Sequence, residues 1–291
     1  MKCVIWAAVA IVSGCGAAAR TAPPTTAAPS ALVAPSPASA ATQAPPDGFP
    51  EAAQALAAER VTGAIALFDT RDGKLRCSDP DRCDRRYLPA STFKIANSII
   101  GLETGVLSDA ESPLPWDGKE YANAAWNRDN TLRSAVQVSC VPCFRSIARQ
   151  VGPARMAEWV TRLDYGNHDT SGQADLFWLR GALRITPSEQ VDFLRRLDFG
   201  KLPIQEHTLD VVRDVLTLDV TPSYIFRGKT GYASPPDEVM EVGWFVGWVE
   251  LGERRVFFAT VIDGHAPDVD VVPVRRRVTE SVLRALGDLP A

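Results

Sequence analysis

The hydrophobic pattern of the 291-residue chain changes period twice. Thr62-Gly63-Ala64-Ile65-Ala66-Leu67-Phe68-Asp69 is short and almost wholly apolar, which predicts a buried strand, and Arg71-Asp72-Gly73-Lys74 predicts a hairpin turn behind it. The Ala-rich segment 51–60 predicts a helix ahead of them. From Ile95 the spacing becomes helical: Ile95, Ile99 and Leu102 share a face, and Gly105 supplies a stop. An irregular region with Pro and Trp covers residues 113–130. Pro142 then opens a helix that Gly152-Pro153 closes, and 154–162 repeats the spacing through Met156, Trp159 and Val160, which Leu163 continues. Residues 188–197, with Pro187 at the first turn, and a segment marked by Leu209, Val212, Val215 and Leu216 predict two more helices. Strand-like runs return at 224–229, 243–249 and 256–262, and Leu251-Gly252-Glu253-Arg254 joins the last two as a hairpin. A last helix carries Val274, Val278, Val282 and Leu286 on one side. Strands at both ends with helices between them predict an α/β (α+β) fold. Its core is a central antiparallel sheet flanked by helices, with an inserted all-helical subdomain.

The first 48 residues follow different rules. The apolar run from Val4 to Val12 is too short to span a bilayer and reads as the core of an export signal. Val12-Ser13-Gly14-Cys15 is similar to a bacterial lipobox, which makes Cys15 a lipidation candidate and 1–15 a lipoprotein-type signal peptide. Ordinary cleavage within 17–19 is the alternative. Residues 21–46 carry no charge and are nearly all Ala, Pro, Thr and Ser. Such a stretch has little to bury against its entropy, so 16–48 is expected to be a disordered tether. The globular domain is expected to run over 49–291. An exported protein, periplasmic or held at a membrane through Cys15, is the implied location. The net charge of −4, with both signs interspersed, gives no electrostatic footprint for nucleic acid.

Export permits disulfides. Cys77 and Cys83 flank the polar loop Ser78-Asp79-Pro80-Asp81-Arg82, where a local disulfide is the expected use and two free thiols the alternative. Cys140-Val141-Pro142-Cys143 is a C-x-x-C. The favoured reading is a buried thiol pair, against a redox-active pair that would need an exposed, low-pKa thiol. No histidine lies near enough in sequence to make a metal site, so no metal is expected. His168, His207 and His265 read as loop or surface residues.

Ser91 and Lys94 stand three apart at the start of the helix from Ile95, a nucleophile beside a base on one helical face. The helix start adds free N–H groups and a positive field. The same pattern also arises as an N-cap with a surface lysine. Ser139-Cys140-Val141 precedes the helix at Pro142, where a cap is again the plain reading. Lys229-Thr230-Gly231 ends a predicted strand, where it offers positive charge and a hydroxyl, or simply a turn.

Taken in order, Ser-x-x-Lys, Ser-x-Val and Lys-Thr-Gly resemble the motif set of the penicillin-recognising serine acyltransferases. The middle Ser-Cys-Val, in place of Ser-Asp-Asn, is similar to the class D, oxacillinase-type, serine β-lactamases. Tyr165-Gly166-Asn167, Phe177-Trp178-Leu179 with Gly181, and Pro273-Val274-Arg275 resemble further elements of that class. The resemblance implies antibiotic resistance by β-lactam hydrolysis through a Ser91 acyl-enzyme. Lys94 would be carboxylated by carbon dioxide to N6-carboxylysine and act as general base. No other cofactor is implied.

Under the same resemblance the backbone N–H groups of Ser91 and Tyr232 would form an oxyanion hole. Phe93, Val141, Trp178 and Leu179 would line an apolar pocket around Lys94, and the Trp178 indole would donate to the carbamate. Ser139 would relay a proton to the leaving nitrogen, supported by Lys229. Thr230, Gly231, Val141 and Arg275 would bind substrate, although Arg276 and Arg277 leave open which arginine points inward. Tyr165 and Asn167 would support the site. The expected partners are small β-lactams bound by a monomer or a dimer, without nucleic acid. The competing readings are a D,D-peptidase or transpeptidase with a longer-lived acyl group, and a drug sensor that acylates and signals. A Ser-His-Asp esterase lacks its Gly-x-Ser-x-Gly elbow here.

Overall fold

The computed structural model describes residues 49–234 and 241–290. The expected signal peptide with Cys15, the expected tether up to residue 48 and residues 235–240 lie outside them.

Helix α1 (Pro50–Ala58) leads into β1 (Val61–Asp69), buried at every position except Thr62. A strand covered on both faces reads as a continuous apolar run, which is why its pattern lacks alternation. The hairpin partner β2 (Lys74–Cys77) is followed by a short α2 (Pro80–Cys83), capped by Asp79, in place of the expected polar loop. Cys77 and Cys83 are bridged across α2, with Cα atoms 6.4 Å apart.

A 3₁₀ turn at Ala90–Phe93 runs into α3 (Lys94–Glu103). The region that follows is not wholly irregular. β3 (Pro113–Leu114) and β4 (Asn130–Thr131) form a small ribbon, so the inserted subdomain is not purely helical. Next comes α4 (Leu132–Gln137), short and held by a capping box between Thr131 and Ser134. The predicted helices follow as α5 (Val141–Val151), α6 (Pro153–Arg162), α7 (Pro187–Asp198) and α8 (Glu206–Val215). The main sheet resumes with β5 (Thr217–Val220), β6 (Ile225–Ala233), β7 (Val242–Leu251) and β8 (Arg254–His265), and α9 (Val271–Ala285) closes the fold.

The six strands lie in the order β2-β1-β8-β7-β6-β5, every neighbouring pair antiparallel. Side chains alternate between its two faces. Ile65, Leu67, Phe245, Val249, Phe258 and Ile262 pack with α1 and α9, whereas Ala64, Ala66, Trp244, Val246, Trp248 and Phe257 face the helical insertion. The result is three layers, and the catalytic candidates gather where the insertion meets β6.

Candidate active site

Ser91 sits on the 3₁₀ turn, and the segment entering it is fixed from both sides. Tyr87 exchanges backbone hydrogen bonds with Ile185 at 2.9 Å, and the Ala90 N–H donates to the Trp178 carbonyl at 3.0 Å. Trp244 on β7 adds an indole hydrogen bond to the Leu88 carbonyl at 2.8 Å. Ala90 has φ +51°, outside the usual range for a residue with a Cβ. The first hydrogen bond of the turn runs from the Thr92 N–H to the Pro89 carbonyl, so the Ser91 N–H precedes the turn's ladder.

One helical step on, Lys94 Nζ donates to Ser91 Oγ at 2.6 Å. Lys94 is only 1% exposed, so the surface-lysine alternative is removed. Its walls are aromatic. Trp178 stacks on Phe93 at 5.3 Å between centroids, and Nζ lies 5.4 Å from the Phe144 ring centre. Burial, with the Lys229 charge second, holds the Lys94 amine well below the ordinary lysine range. The Trp178 indole nitrogen, on the ring stacked over Phe93, is buried without a hydrogen-bond partner.

Ser139 lies between α4 and α5. Lys229 Nζ donates to Ser139 Oγ at 3.1 Å and to the Thr230 carbonyl at 3.1 Å. Burial, and then Arg275, pulls the Lys229 amine down to about 7. Lys229-Thr230-Gly231 is interior to β6 and does not end it, as the sequence pattern had it. β5 pairs with β6 only from Ile225 to Arg227, so beyond Gly228 that edge of β6 has no strand beside it among the described residues. The Gly228 N–H points to the β5 side, donating to the Leu216 carbonyl. Backbone polar groups alternate along a strand, so Tyr232, four residues on, directs its N–H to the same open edge. That is the edge an oxyanion donor would need.

Gly231 is where the strand passes closest to the nucleophile turn. A Cβ there would stand 3.0 Å from Thr92 Cγ2, 3.1 Å from Trp244 Cβ and 3.2 Å from the Pro89 carbonyl oxygen. Behind the strand, Arg275 is the inward arginine of α9: it is buried and donates to the Gly231 carbonyl at 2.6 Å. Arg276 pairs with Glu280, and Arg277 with Glu59. Burial lowers Arg275 to about 10.

Val141, half-buried, is the first residue of α5, and Leu179 packs with Leu88, Ala90 and Ala233. Asn167 is a loop clamp: its Nδ2 donates to the Ala182 carbonyl at 2.9 Å and its Oδ1 accepts the Arg184 N–H at 2.8 Å. Tyr165 is fully buried with its ring edge on Phe93. Of the histidines, His207 and His265 are exposed and His168 is partly so.

The expectation of a free thiol pair is corrected. Cys140 is the N-cap of α5 and Cys143 its third residue, so one helical turn brings the two sulfurs together, and they are bridged with Cα atoms 5.4 Å apart. Sequence reasoning missed Phe144, although it lies one turn beyond Val141 on α5. It also missed Gln190, whose Nε2 donates to Thr92 Oγ1 at 2.7 Å beneath the nucleophile turn. No periodic signal separates that glutamine from the rest of α7. Among the described residues no cluster of His, Cys, Asp and Glu is arranged to hold a metal.

The chain is similar to known proteins in sequence and fold. The penicillin binding protein transpeptidase domain family matches residues 58–283. The chain is 39% identical over 228 residues to Beta-lactamase OXA-48 of Klebsiella pneumoniae, covering 78% of this chain and 84% of that one. It is 40% identical over 233 residues to Beta-lactamase OXA-10 of Pseudomonas aeruginosa, covering 80% and 87%. The crystal structure of the class D β-lactamase YbXI from Nostoc superposes with a TM-score of 0.78 at 38% identity, over 82% of this chain and 99% of that one. With a transpeptidase-type domain, a buried Ser91–Lys94 pair and relatives of this kind, the chain belongs to the class D serine β-lactamases.

Proposed function

We propose that this chain hydrolyses β-lactams by acylation of Ser91, with Lys94 carboxylated on Nζ as the general base. The observation that carries the reading is the setting of Lys94: a buried amine, 2.6 Å from the Ser91 hydroxyl, whose burial lowers its proton affinity well below the ordinary lysine range. A neutral amine is what carbon dioxide requires, because the lone pair forms the new N–C bond and one proton leaves. The pocket fits the product in one further respect, since the unpartnered Trp178 indole N–H is a donor for a carboxylate oxygen. Once formed, the carbamate supplies a base beside Ser91 for both half-reactions.

The rest of the reading concerns the chain's own groups. Ser91 Oγ attacks the lactam carbonyl carbon and gives up its proton. The N–H groups of Ser91 and Tyr232 stabilise the oxyanion. The C–N bond of the ring opens, and the nitrogen takes a proton from Ser139, which Lys229 holds at 3.1 Å. Water then cleaves the ester and restores Ser91. Thr230 Oγ1 on the open edge of β6, with Arg275 behind it, forms the region for the drug carboxylate.

Steady-state turnover of a chromogenic cephalosporin by the purified protein tests this. A single stoichiometric burst with no further turnover would instead identify a peptidase or a sensor. Stripping bicarbonate at mildly acidic pH should slow turnover, and adding it back should restore the rate. Full activity in both conditions excludes the carbamate. Ser91→Ala should abolish covalent labelling by a β-lactam.

We also read residues 1–15 as an export signal ending at a lipidated Cys15, and 16–48 as the tether to a catalytic domain over 49–291. An intact-mass measurement of the mature N-terminus checks this, since an unmodified residue from 17–19 at the start would replace it with ordinary cleavage.

A further inference from the structure

We infer that the Cys140–Cys143 disulfide is a positioning element for Ser139, locking the α4–α5 junction so that Ser139 Oγ stays on Lys229 Nζ. The inference rests on the proposed hydrolysis and deepens it by naming what holds its proton donor.

Helix α4 ends in a Schellman turn. The Cys140 N–H donates to the Ala135 carbonyl at 2.8 Å and the Ser139 N–H to the Val136 carbonyl at 3.2 Å. This places Ser139 at the position usually given to glycine, and its φ is +52°. A residue with a Cβ adopts that conformation at a cost, so it persists only where the surroundings over-determine it. Glycine would remove the cost and the hydroxyl with it.

The hydroxyl itself is a weak restraint, a single 3.1 Å hydrogen bond from Lys229 on a partly exposed residue. The stronger restraint lies one residue on. Cys140 caps α5, and its Sγ accepts the Cys143 N–H at 3.2 Å. The disulfide joins the same two residues, N-cap and third helical position, covalently. Ser139 is therefore fenced by backbone hydrogen bonds to α4 on one side and by a covalent link on the other.

The pair is not built to exchange disulfides with other proteins. Cys140 is wholly buried and Cys143 only 9% exposed, whereas exchange needs an accessible sulfur. The bridge serves its neighbour.

The test uses the full chain in a Cys77→Ala/Cys83→Ala background, so that Cys140–Cys143 is the one disulfide left among the described residues. Dithiothreitol, applied while the chain is unfolded so that the buried sulfurs are accessible, delivers two electrons and two protons to the bridge and closes to its own disulfide; after refolding under reductant, alkylation of a denatured sample and mass measurement count two thiols more than in the oxidised protein. Cys140→Ala/Cys143→Ala provides a second route to the unlinked junction, with folding checked by thermal unfolding. Acylation and deacylation rates are measured separately with a chromogenic cephalosporin. Unlinking should slow acylation about tenfold, within the range of a displaced general acid. Deacylation, which needs no proton at the lactam nitrogen, should stay within about twofold. In Ser139→Ala, already slow, unlinking should change acylation no further, because the two changes act through one group. Unchanged acylation after unlinking overturns the inference, as does an equal slowing of both steps or a further tenfold loss in Ser139→Ala. If the oxidised background protein itself shows no turnover, the hydrolase reading fails and takes this inference with it. A protein that turns over and ignores unlinking overturns this inference alone.

Discussion

The chemistry at residue scale depends on three basic side chains gathered where few charges are tolerated. Lys94 is buried beside Lys229, and Lys229 beside Arg275, so each lowers the proton affinity of the one before it. For Lys229 the folded value is about 7 and the unfolded one about 10.4. Between those values the unfolded chain binds more protons, so stability rises with pH across that window and the burial cost is full below it. Lys229→Met should flatten this rise relative to the parent, read as the difference between urea midpoints at pH 7 and pH 9.5. An unchanged difference would mean that Lys229 is charged in the folded protein. Trp178→Phe keeps the ring on Phe93 and removes only the orphaned N–H. The bicarbonate concentration giving half-maximal turnover should then rise about tenfold, the worth of one hydrogen bond to a charged group, while labelling of Ser91 continues. Equal bicarbonate dependence in the two proteins would leave the indole with a packing role only.

Among the elements, β6 does the most positioning, since it carries Lys229, Thr230, Gly231 and Tyr232 past the Ser91 turn with one edge uncovered. Gly231→Ala forces a Cβ against the Thr92 methyl and the Pro89 carbonyl. The strand must move off the turn, at about 1–3 kcal/mol of stability, and turnover should fall by at least about tenfold, since placement errors of an ångström cost up to a hundredfold. Wild-type melting and activity in this variant would show that the strand has slack. The sequence pattern exposed some elements and hid others for physical reasons. β7 and β8 are legible because Trp, Phe and Val run continuously through strands buried on both faces. β5 was missed because its four residues, Thr217-Leu218-Asp219-Val220, are too few for their alternation to stand out directly behind the helical run that ends at Leu216. α4 has too few turns to show a period. Ser139 was legible as a motif, but its left-handed backbone was not, since Gly ordinarily signals that conformation. Three consecutive arginines carry no phase of their own, and the packing of α9 alone assigns Arg275.

Over the whole molecule the sheet is tied to the site by one buried carboxylate. Asp263 on β8 accepts from Tyr87 Oη at 3.1 Å, Arg82 Nε at 2.9 Å and Thr62 Oγ1 at 3.3 Å. Through Tyr87 it holds the segment that runs into Ser91. Asp263→Ala strands the buried Tyr87 hydroxyl and takes one carboxylate from Arg82, which keeps Asp79, and from the half-exposed Arg85. The loss should be about 1–3 kcal/mol, the cost of a buried donor left unpaired, read from denaturant midpoints, with a larger fall in turnover than in Cys77→Ala/Cys83→Ala, which leaves the Tyr87 hydrogen bond to Asp263 in place. Equal losses of turnover in the two variants would deny Asp263 this link to the site.

The same sheet constrains the order in which the chain acquires structure. β1 has its long partner in β8, and Asp69 meets Val256 about 190 residues later. Closing so wide a loop costs entropy before any pairing returns it. The helical insertion, made largely of local turns, has no such wait. A nascent chain emerging in sequence therefore holds β1 unpaired on its β8 side until nearly all of the protein has been synthesised, and the catalytic edge of β6 takes its place in a finished sheet only after that.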